Sequence, residues 1–297
     1  MINMDIINTF VVPIIIPDFI ERFLKTLYAH TPPNFRVIVI DQTLDGMSEL
    51  SKDPRVHMYI RPYRNLGFSH SMNTGIRISS TKYVTCSNDD VEFVDDRWWS
   101  GIIETFDQDK QIKAVNPMSI TEPGWGYGCN KNSPEELVKQ KESELHCQFN
   151  REEERFEHLP YKEAYSKEEY DFLLAQKNGH IDGIITWCTT FDREALDYKG
   201  VFDERFFPGG GEDYDIGGRF YSMYYPSKQA NPADRYRMVA TSKSWAWHHL
   251  SKSRKTKEQY LPGLREHFGD DHAMWEDKWT HPTLAMFRKD EVKRVLL

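Results

Sequence analysis

Tyr83-Val84-Thr85-Cys86-Ser87-Asn88-Asp89-Asp90-Val91-Glu92 is the stretch on which the reading of this chain turns. A short apolar and β-branched run, Tyr83 to Ser87, reads as a strand and delivers an amide and two adjacent carboxylates, Asn88, Asp89 and Asp90. Carboxylates clustered at a strand end suit a hard divalent cation, because Mg²⁺ and Mn²⁺ prefer oxygen ligands and take one or two carboxylates plus phosphate oxygens. The same tripeptide also forms a solvated turn with no ligand, since Asn and Asp satisfy their own backbone there. Its surroundings decide between the two.

Upstream, Ile6 to Ile16 is a continuous β-type run, and Phe19, Phe23, Leu24 and Leu27 then switch to helical spacing. Arg36-Val37-Ile38-Val39-Ile40-Asp41 is a second apolar run that again ends in a carboxylate. A third strand is expected over Val56 to Ile60, a helix from about Phe68 to Ile78, and the fourth strand over Tyr83 to Ser87. Strands alternating with helices give an α/β fold with a mixed, mainly parallel sheet flanked by helices, whose ligands sit beyond the strands' carboxyl ends. Asp41 and Asp90 are therefore expected at one edge.

Downstream come a helix over Trp98 to Phe106 and a strand over Ile112 to Pro117, after which the composition shifts. About 121–180 is rich in Glu and Lys, as in Glu135-Glu136-Leu137 and Arg151-Glu152-Glu153-Glu154, and reads as an insertion of exposed helices. The apolar pattern resumes at Ile181 to Trp187, then Phe191, Leu196 and Val201 to Phe207. Gly209-Gly210-Gly211 precedes Glu212 and Asp213, and Ile216, Phe220 and Met223 continue a helix that starts on those carboxylates. A last strand is expected from Tyr236 to Ala240 or on to Trp247. The division expected is a catalytic domain over 1–250 and a C-terminal extension over 251–297 packed on it.

At 297 residues the chain can bury a sizeable core, and 39% hydrophobic and 13% aromatic residues exclude a disordered one. A net charge of −8 argues against general nucleic-acid binding, which needs a basic face to displace counterions. Cys86, Cys129, Cys147 and Cys188 form no Cys-x-x-Cys pair, so reduced thiols and a cytoplasmic location are expected. No stretch reaches transmembrane length, and the Ile6 to Ile16 run reads as a buried strand rather than an anchor.

Taken in order, Val11-Val12-Pro13, Val39-Ile40-Asp41, Arg64-Asn65-Leu66-Gly67-Phe68 with Asn73-Thr74-Gly75-Ile76, Asn88-Asp89-Asp90, Phe202 to Phe207, Gly211 to Asp215, and His248 make the chain resemble the family 2 glycosyltransferases of the GT-A fold. The resemblance covers roughly 6–118 and 181–250. It departs at Asn88, where the family's DxD motif begins with an acid, and in the sixty-residue insertion.

The resemblance implies a Rossmann-like architecture and a metal-dependent sugar transfer from a nucleotide-diphosphate donor to a hydroxyl of a glycan or glycoconjugate, with inversion. A UDP-sugar is the first expectation for the donor, and GDP- and dTDP-sugars are alternatives. It implies that Val12, Pro13 and Asp41 hold the base, that Asn65, Gly67 and Asn73 line the nucleotide site, and that Asp89 contacts ribose or the metal's water. Asp90 is the expected metal ligand, joined by His248 or His249. Adjacent strand residues face opposite sides, which leaves one of the two for the site, and imidazole favours Mn²⁺ over Mg²⁺. Asp213 is the candidate general base and Glu212 its alternate, while Lys252 and Arg254 are candidates for the diphosphate.

Trp125, Tyr127 and Trp187 offer flat faces for an acceptor sugar. Each assignment has a plainer counterpart. Asp41 caps a turn, Asn65 and Gly67 shape one, acids stabilise a first helical turn, and aromatics fill cores. Two other functions compete: a sugar-phosphate nucleotidyltransferase, which should carry a Gly-rich loop where this chain has Pro13 to Asp18, and a non-catalytic glycan-binding protein of the same fold.

Overall fold

The first apolar run forms β1 (Asn8–Ile14), buried at every position. Phe10, Val12 and Ile14 enter one core and Val11 the other. This two-sided burial explains why the run is continuous rather than alternating. The computed structural model describes residues 6–93, 96–119, 148–150, 155–157, 180–182, 186–221 and 236–249.

The remaining strands are β2 (Phe35–Asp41), β3 (Met58–Ile60), β4 (Tyr83–Ser87), β5 (Val91–Phe93), β6 (Ile112–Ser119), β7 (Gln148–Asn150), β8 (Arg155–Glu157), β9 (His180–Asp182), β10 (Cys188–Asp192) and β11 (Arg237–His248). The main sheet runs β3-β2-β1-β4-β10-β6-β11-β5, with β9 also paired to β11, and β7 and β8 form a separate antiparallel pair. Strands β1, β2, β3 and β4 are mutually parallel, and β6 and β11 are parallel to each other. Since β10 lies antiparallel to both β4 and β6, those two blocks point the same way. The sheet is thus mainly parallel, as expected, but β10, β5 and β9 run against it.

One face is covered by α1 (Pro17–His30) and α3 (Trp98–Gln108), whose Phe23, Leu24, Leu27, Trp98 and Ile102 pack on Phe10 and Val12. The other carries α2 (Gly67–Ile78), α4 (Arg193–Lys199) and α5 (Glu212–Tyr221), with Met72, Ile76, Leu196, Ile216 and Phe220 on Val11 and Ile38. Gly75 allows α2 to approach closely, since a Cβ there would lie 2.3 Å from Val11 Cγ1.

Val11 is level with both Ile38 and Cys86, so the ends of β1, β2 and β4 share one edge. Pro13 marks that edge. Ile7 C=O accepts from Tyr83 and Ile14 C=O from Gln42, so odd residues of β1 address β4 and even ones β2. The N–H that Pro13 lacks would point toward β4, where the paired register has already ended at Val11. The strand therefore loses no ladder bond, and the chain after β4 is released to turn.

Element positions follow the sequence expectation closely from β1 through α3 and again in α5 and β11. The short strand β5 was not foreseen. Of the insertion expected to be helical, 148–150 and 155–157 are strand, and the rest of 121–179 lies outside the described residues, as does the extension 251–297.

Candidate active site

The Asn88-Asp89-Asp90 turn links β4 to β5 and is fastened on two sides. Asn88 N–H donates to Trp187 C=O at 2.8 Å, and His249 N–H donates to Asp90 C=O at 2.9 Å. These bonds join the turn to the start of β10 and the end of β11.

Asp89 is half-buried and accepts from the backbone N–H groups of Ile15 and Ile16, just past β1. Its Oδ2 is buried with no hydrogen-bond partner. Burial first, then the neighbouring charge of Asp90, pushes the Asp89 carboxyl well above the usual carboxylate range. Asp90 is 5% exposed, and its Oδ1 lies 3.2 Å from His248 Nε2. Burial would raise its carboxyl too, but His248 and then His249 outweigh that and hold it below its ordinary value.

His248 Nε2 also lies 3.3 Å from Asn88 Nδ2. The Trp187 ring stacks on the His248 ring, with centroids 5.0 Å apart and planes 9° from parallel. His249 turns to the opposite side, where its Nε2 meets Glu92 Oε1 at 2.6 Å, as strand alternation requires. Asp90 and His248 are thus brought together, and His249 is directed to a different carboxylate.

The donor set fits a divalent cation. Carboxylate oxygens and one imidazole suit Mn²⁺ better than Mg²⁺, and the bare Asp89 Oδ2 is an acceptor in want of a partner. Among the described residues, no three His, Cys, Asp or Glu side chains already stand in metal-holding geometry.

At the end of β2, Asp41 is fully buried and accepts from Thr43 N at 2.9 Å, Thr43 Oγ1 at 2.6 Å, Met47 N at 2.7 Å, the Tyr59 hydroxyl at 2.5 Å and Arg61 Nη1 at 3.1 Å. Burial alone would raise its carboxyl. The bonds from Thr43, Tyr59 and Met47 more than offset this and lower it. With both oxygens taken by protein donors, Asp41 acts on this edge by holding the 42–47 loop rather than by offering an empty acceptor to a base.

The next residue, Gln42, accepts from Leu66 N–H at 2.7 Å, and Asn65 Oδ1 accepts from Gly67 N–H at 2.7 Å. These two amides satisfy backbone donors at the start of α2. Gly67 has φ +73°, and a Cβ there would fall 2.7 Å from the Phe207 ring and 2.9 Å from Pro208 O.

Asn73, expected to line the nucleotide site, is buried and clasps the 202–204 segment instead. Its Nδ2 donates to Phe202 C=O at 2.7 Å and to Glu204 Oε1 at 2.9 Å, while its Oδ1 accepts from Phe202 N–H at 3.0 Å. Its amide is committed to positioning the approach to the Gly-rich loop.

That loop begins where Phe68 N–H donates to Pro208 C=O at 2.8 Å. Gly209, Gly210 and Gly211 all have positive φ, and Gly210 N–H donates to the Glu212 carboxylate. Asp215 and Arg219 form a buried ion pair at 3.0 Å. Glu212 is buried, and Asp213 between them is only half-buried. Three acids at the start of α5 therefore have three environments, and Asp213 is the one most open to a substrate.

Val12 and Pro13 are buried in β1 at the shared edge. Trp187, expected as an acceptor platform, is 6% exposed and lies under His248. Trp125, Tyr127, Lys252 and Arg254 fall outside the described residues. The sequence reading missed Gln42, Glu92 and Glu204. Only Gln42 had a local signal, a polar residue directly after a strand-end carboxylate; the partners of the other two come from distant segments.

The architecture matches solved glycosyltransferases. Staphylococcus aureus TarS 1–349 superposes with a TM-score of 0.55 at 11% identity, over 98% of this chain and 69% of that one. The mannosyltransferase PcManGT from Pyrobaculum calidifontis, in complex with GDP-Man and Mn²⁺, gives 0.51 at 15% identity, over 94% and 73%. GalNAc-T7 with UDP, GalNAc and Mn²⁺ gives 0.54 at 12% identity over 82% of this chain, which spans only 44% of that protein. At such identities these likenesses establish the GT-A fold. A search of curated proteins returns no match. The family model "Glycosyl transferase family 2" matches residues 6–198, about two thirds of the sequence, and it contains β1, the Asp41 edge, the Asn88-Asp89-Asp90 turn and β10. On that match, and with the fold in agreement, the chain belongs to glycosyl transferase family 2 and is a glycosyltransferase.

Proposed function

We propose that the enzyme moves a sugar from a nucleotide-diphosphate donor to a hydroxyl of a glycan or glycoconjugate in a divalent-cation-dependent, inverting displacement. The observation that carries this reading is the approach of Asp90 to His248, 3.2 Å apart, in the turn beyond β4. UDP and GDP-Man in the neighbours' sites support a nucleotide-sugar donor, with a UDP-sugar preferred. Their Mn²⁺ supports the choice of cation.

Asp90, His248 and the free oxygen of Asp89 would hold the ion. When bound, it supplies positive charge to the phosphate oxygens of the leaving group. The edge made by Pro13, the Asp41-held loop and the Asn65-Leu66-Gly67 turn binds and orients the nucleotide. Asp213 removes the proton from the acceptor hydroxyl as that oxygen bonds to the anomeric carbon. The bond from that carbon to the diphosphate oxygen breaks with its electron pair, and nucleoside diphosphate leaves from the opposite face. Glu212 keeps the Gly-rich loop in place through Gly210.

Incubating the protein with UDP-, GDP- and dTDP-sugars and Mn²⁺, with detection of nucleoside diphosphate, tests this. Release from one donor that Asp90→Ala abolishes is expected. Pyrophosphate exchange would support a nucleotidyltransferase, and silence with every donor a glycan-binding protein. Among the described residues no helix is long and apolar enough to cross a membrane.

A further inference from the structure

Trp187 touches the candidate site twice, once with its backbone and once with its ring. Its C=O accepts the Asn88 N–H at 2.8 Å, which fixes the first residue of the acidic turn relative to β10. Its indole lies flat on the His248 imidazole, 5.0 Å between centroids and 9° between planes. His248 then presents Nε2 toward Asp90 Oδ1 at 3.2 Å and Asn88 Nδ2 at 3.3 Å.

A histidine ring at a strand end swings broadly about its bond to Cβ, and a parallel aromatic plane restrains that swing. The register supplies the rest. Cys188 pairs with Ser87 across β10 and β4, and His248 pairs with Val91 across β11 and β5. Trp187 and His248 therefore approach the turn from the strands paired with the two strands it joins, β10 beside β4 and β11 beside β5. Trp187 is 6% exposed, so its ring does not offer a face to a sugar in solution.

We propose that Trp187 is a positioning residue that sets the plane of the His248 imidazole against Asp90, pre-organising the cation-binding pair before any donor arrives. This rests on the cation-dependent reading of the site. It moves Trp187 from the acceptor side to the support beneath the turn. The stack makes Phe an adequate substitute and an aliphatic residue an inadequate one, because it is the flat face that constrains the ring.

The test is a Mn²⁺ titration followed by the electron paramagnetic resonance signal of the free ion, without nucleotide, on wild type, Trp187→Phe, Trp187→Leu and His248→Ala. Thermal midpoints are recorded for each. Loss of a supporting group around a metal ligand typically weakens affinity about 10–100-fold. Trp187→Leu should fall in that range and approach His248→Ala, while Trp187→Phe loses less than about 10-fold, the lower bound of that range. Equal Mn²⁺ affinity in wild type and a folded Trp187→Leu overturns the proposal, as does a Trp187→Phe variant as weak as Trp187→Leu.

If Trp187→Leu fails to fold, the His248 ring resonances decide. An upfield ring-current shift in wild type that Phe preserves supports the stack, and ordinary positions in wild type refute it. Wild type that binds no Mn²⁺ overturns the cation reading and this role with it. Mn²⁺ binding that survives unchanged in Trp187→Leu removes only the positioning role.

Discussion

Asp41 and Asp213 show how one residue type serves two ends. Asp41 is buried among donors from Thr43, Met47, Tyr59 and Arg61. An amide in its place must turn its NH₂ toward two of those donors. Asp41→Asn should therefore cost about 3 kcal/mol at neutral pH, as when one member of a buried charged network is removed. The carboxyl is held below its ordinary value of 3.8, so its stabilisation is complete above that value and is lost as the pH falls through the lower folded one. Chemical denaturation of both proteins across pH should show a constant gap near neutrality that closes only in strong acid. Asp213, only half-buried at the start of α5, is the proposed general base instead. The helix N-terminus favours its ionised form. Asp213→Asn should lower kcat by about 10²–10⁴-fold, the usual range for a general base, with little change in donor binding. Glu212→Gln should have the smaller effect in steady-state assays, since an amide oxygen can still accept from Gly210.

At the scale of elements, the start of α2 and the Gly-rich loop are built on each other. Gly67 combines φ +73° with Phe207 and Pro208 where a Cβ would go, and Phe68 N–H holds Pro208 C=O. Gly67→Ala meets both a left-handed backbone, about 1–2 kcal/mol, and overpacking of similar size. We expect a loss of about 3 kcal/mol in denaturant melts, and a fall in kcat because relief of the clash displaces the loop that leads to Asp213. This interlock was half legible. Gly67 and the glycines 209–211 stand out as turn residues, and the β1-to-α3 alternation is plain because β1, β2 and β4 are largely apolar runs that contribute to the cores on both faces. Strand β5 was hidden because Val91-Glu92-Phe93 is too short to show a period, and it forms only by pairing with β11. The antiparallel setting of β10 was equally invisible, because pairing partners from distant segments leave no local mark. For the site, Asp90 and His248 were readable as residue types. The clasp of Asn73 on Phe202 and Glu204 was not, since an Asn on a helix gives no sign of which segment it will bond.

For the molecule as a whole, charge predicts coupling between the two ligands of the proposed site. The chain carries a net charge of −8, and the turn beyond β4 adds the buried Asp90, whose carboxyl is held in its ionised form, where a diphosphate is proposed to sit. A nucleoside diphosphate arriving alone meets like charge there, and a cation removes that repulsion. The two should therefore bind with positive coupling: each raises the affinity for the other by the same factor. The consequence is measurable in stability. A ligand at about 100 times its Kd adds roughly 2.7 kcal/mol to the folded state, and each kcal/mol moves the melting temperature of a chain this long by about 2–4 °C. UDP with Mn²⁺ should raise the Tm by about 5–11 °C on that arithmetic, while UDP with EDTA gives little. Asp90→Ala should keep any shift that UDP gives alone and lose the part that depends on Mn²⁺. A UDP shift that is equally large in EDTA and unaffected by Asp90→Ala would place the nucleotide away from this turn.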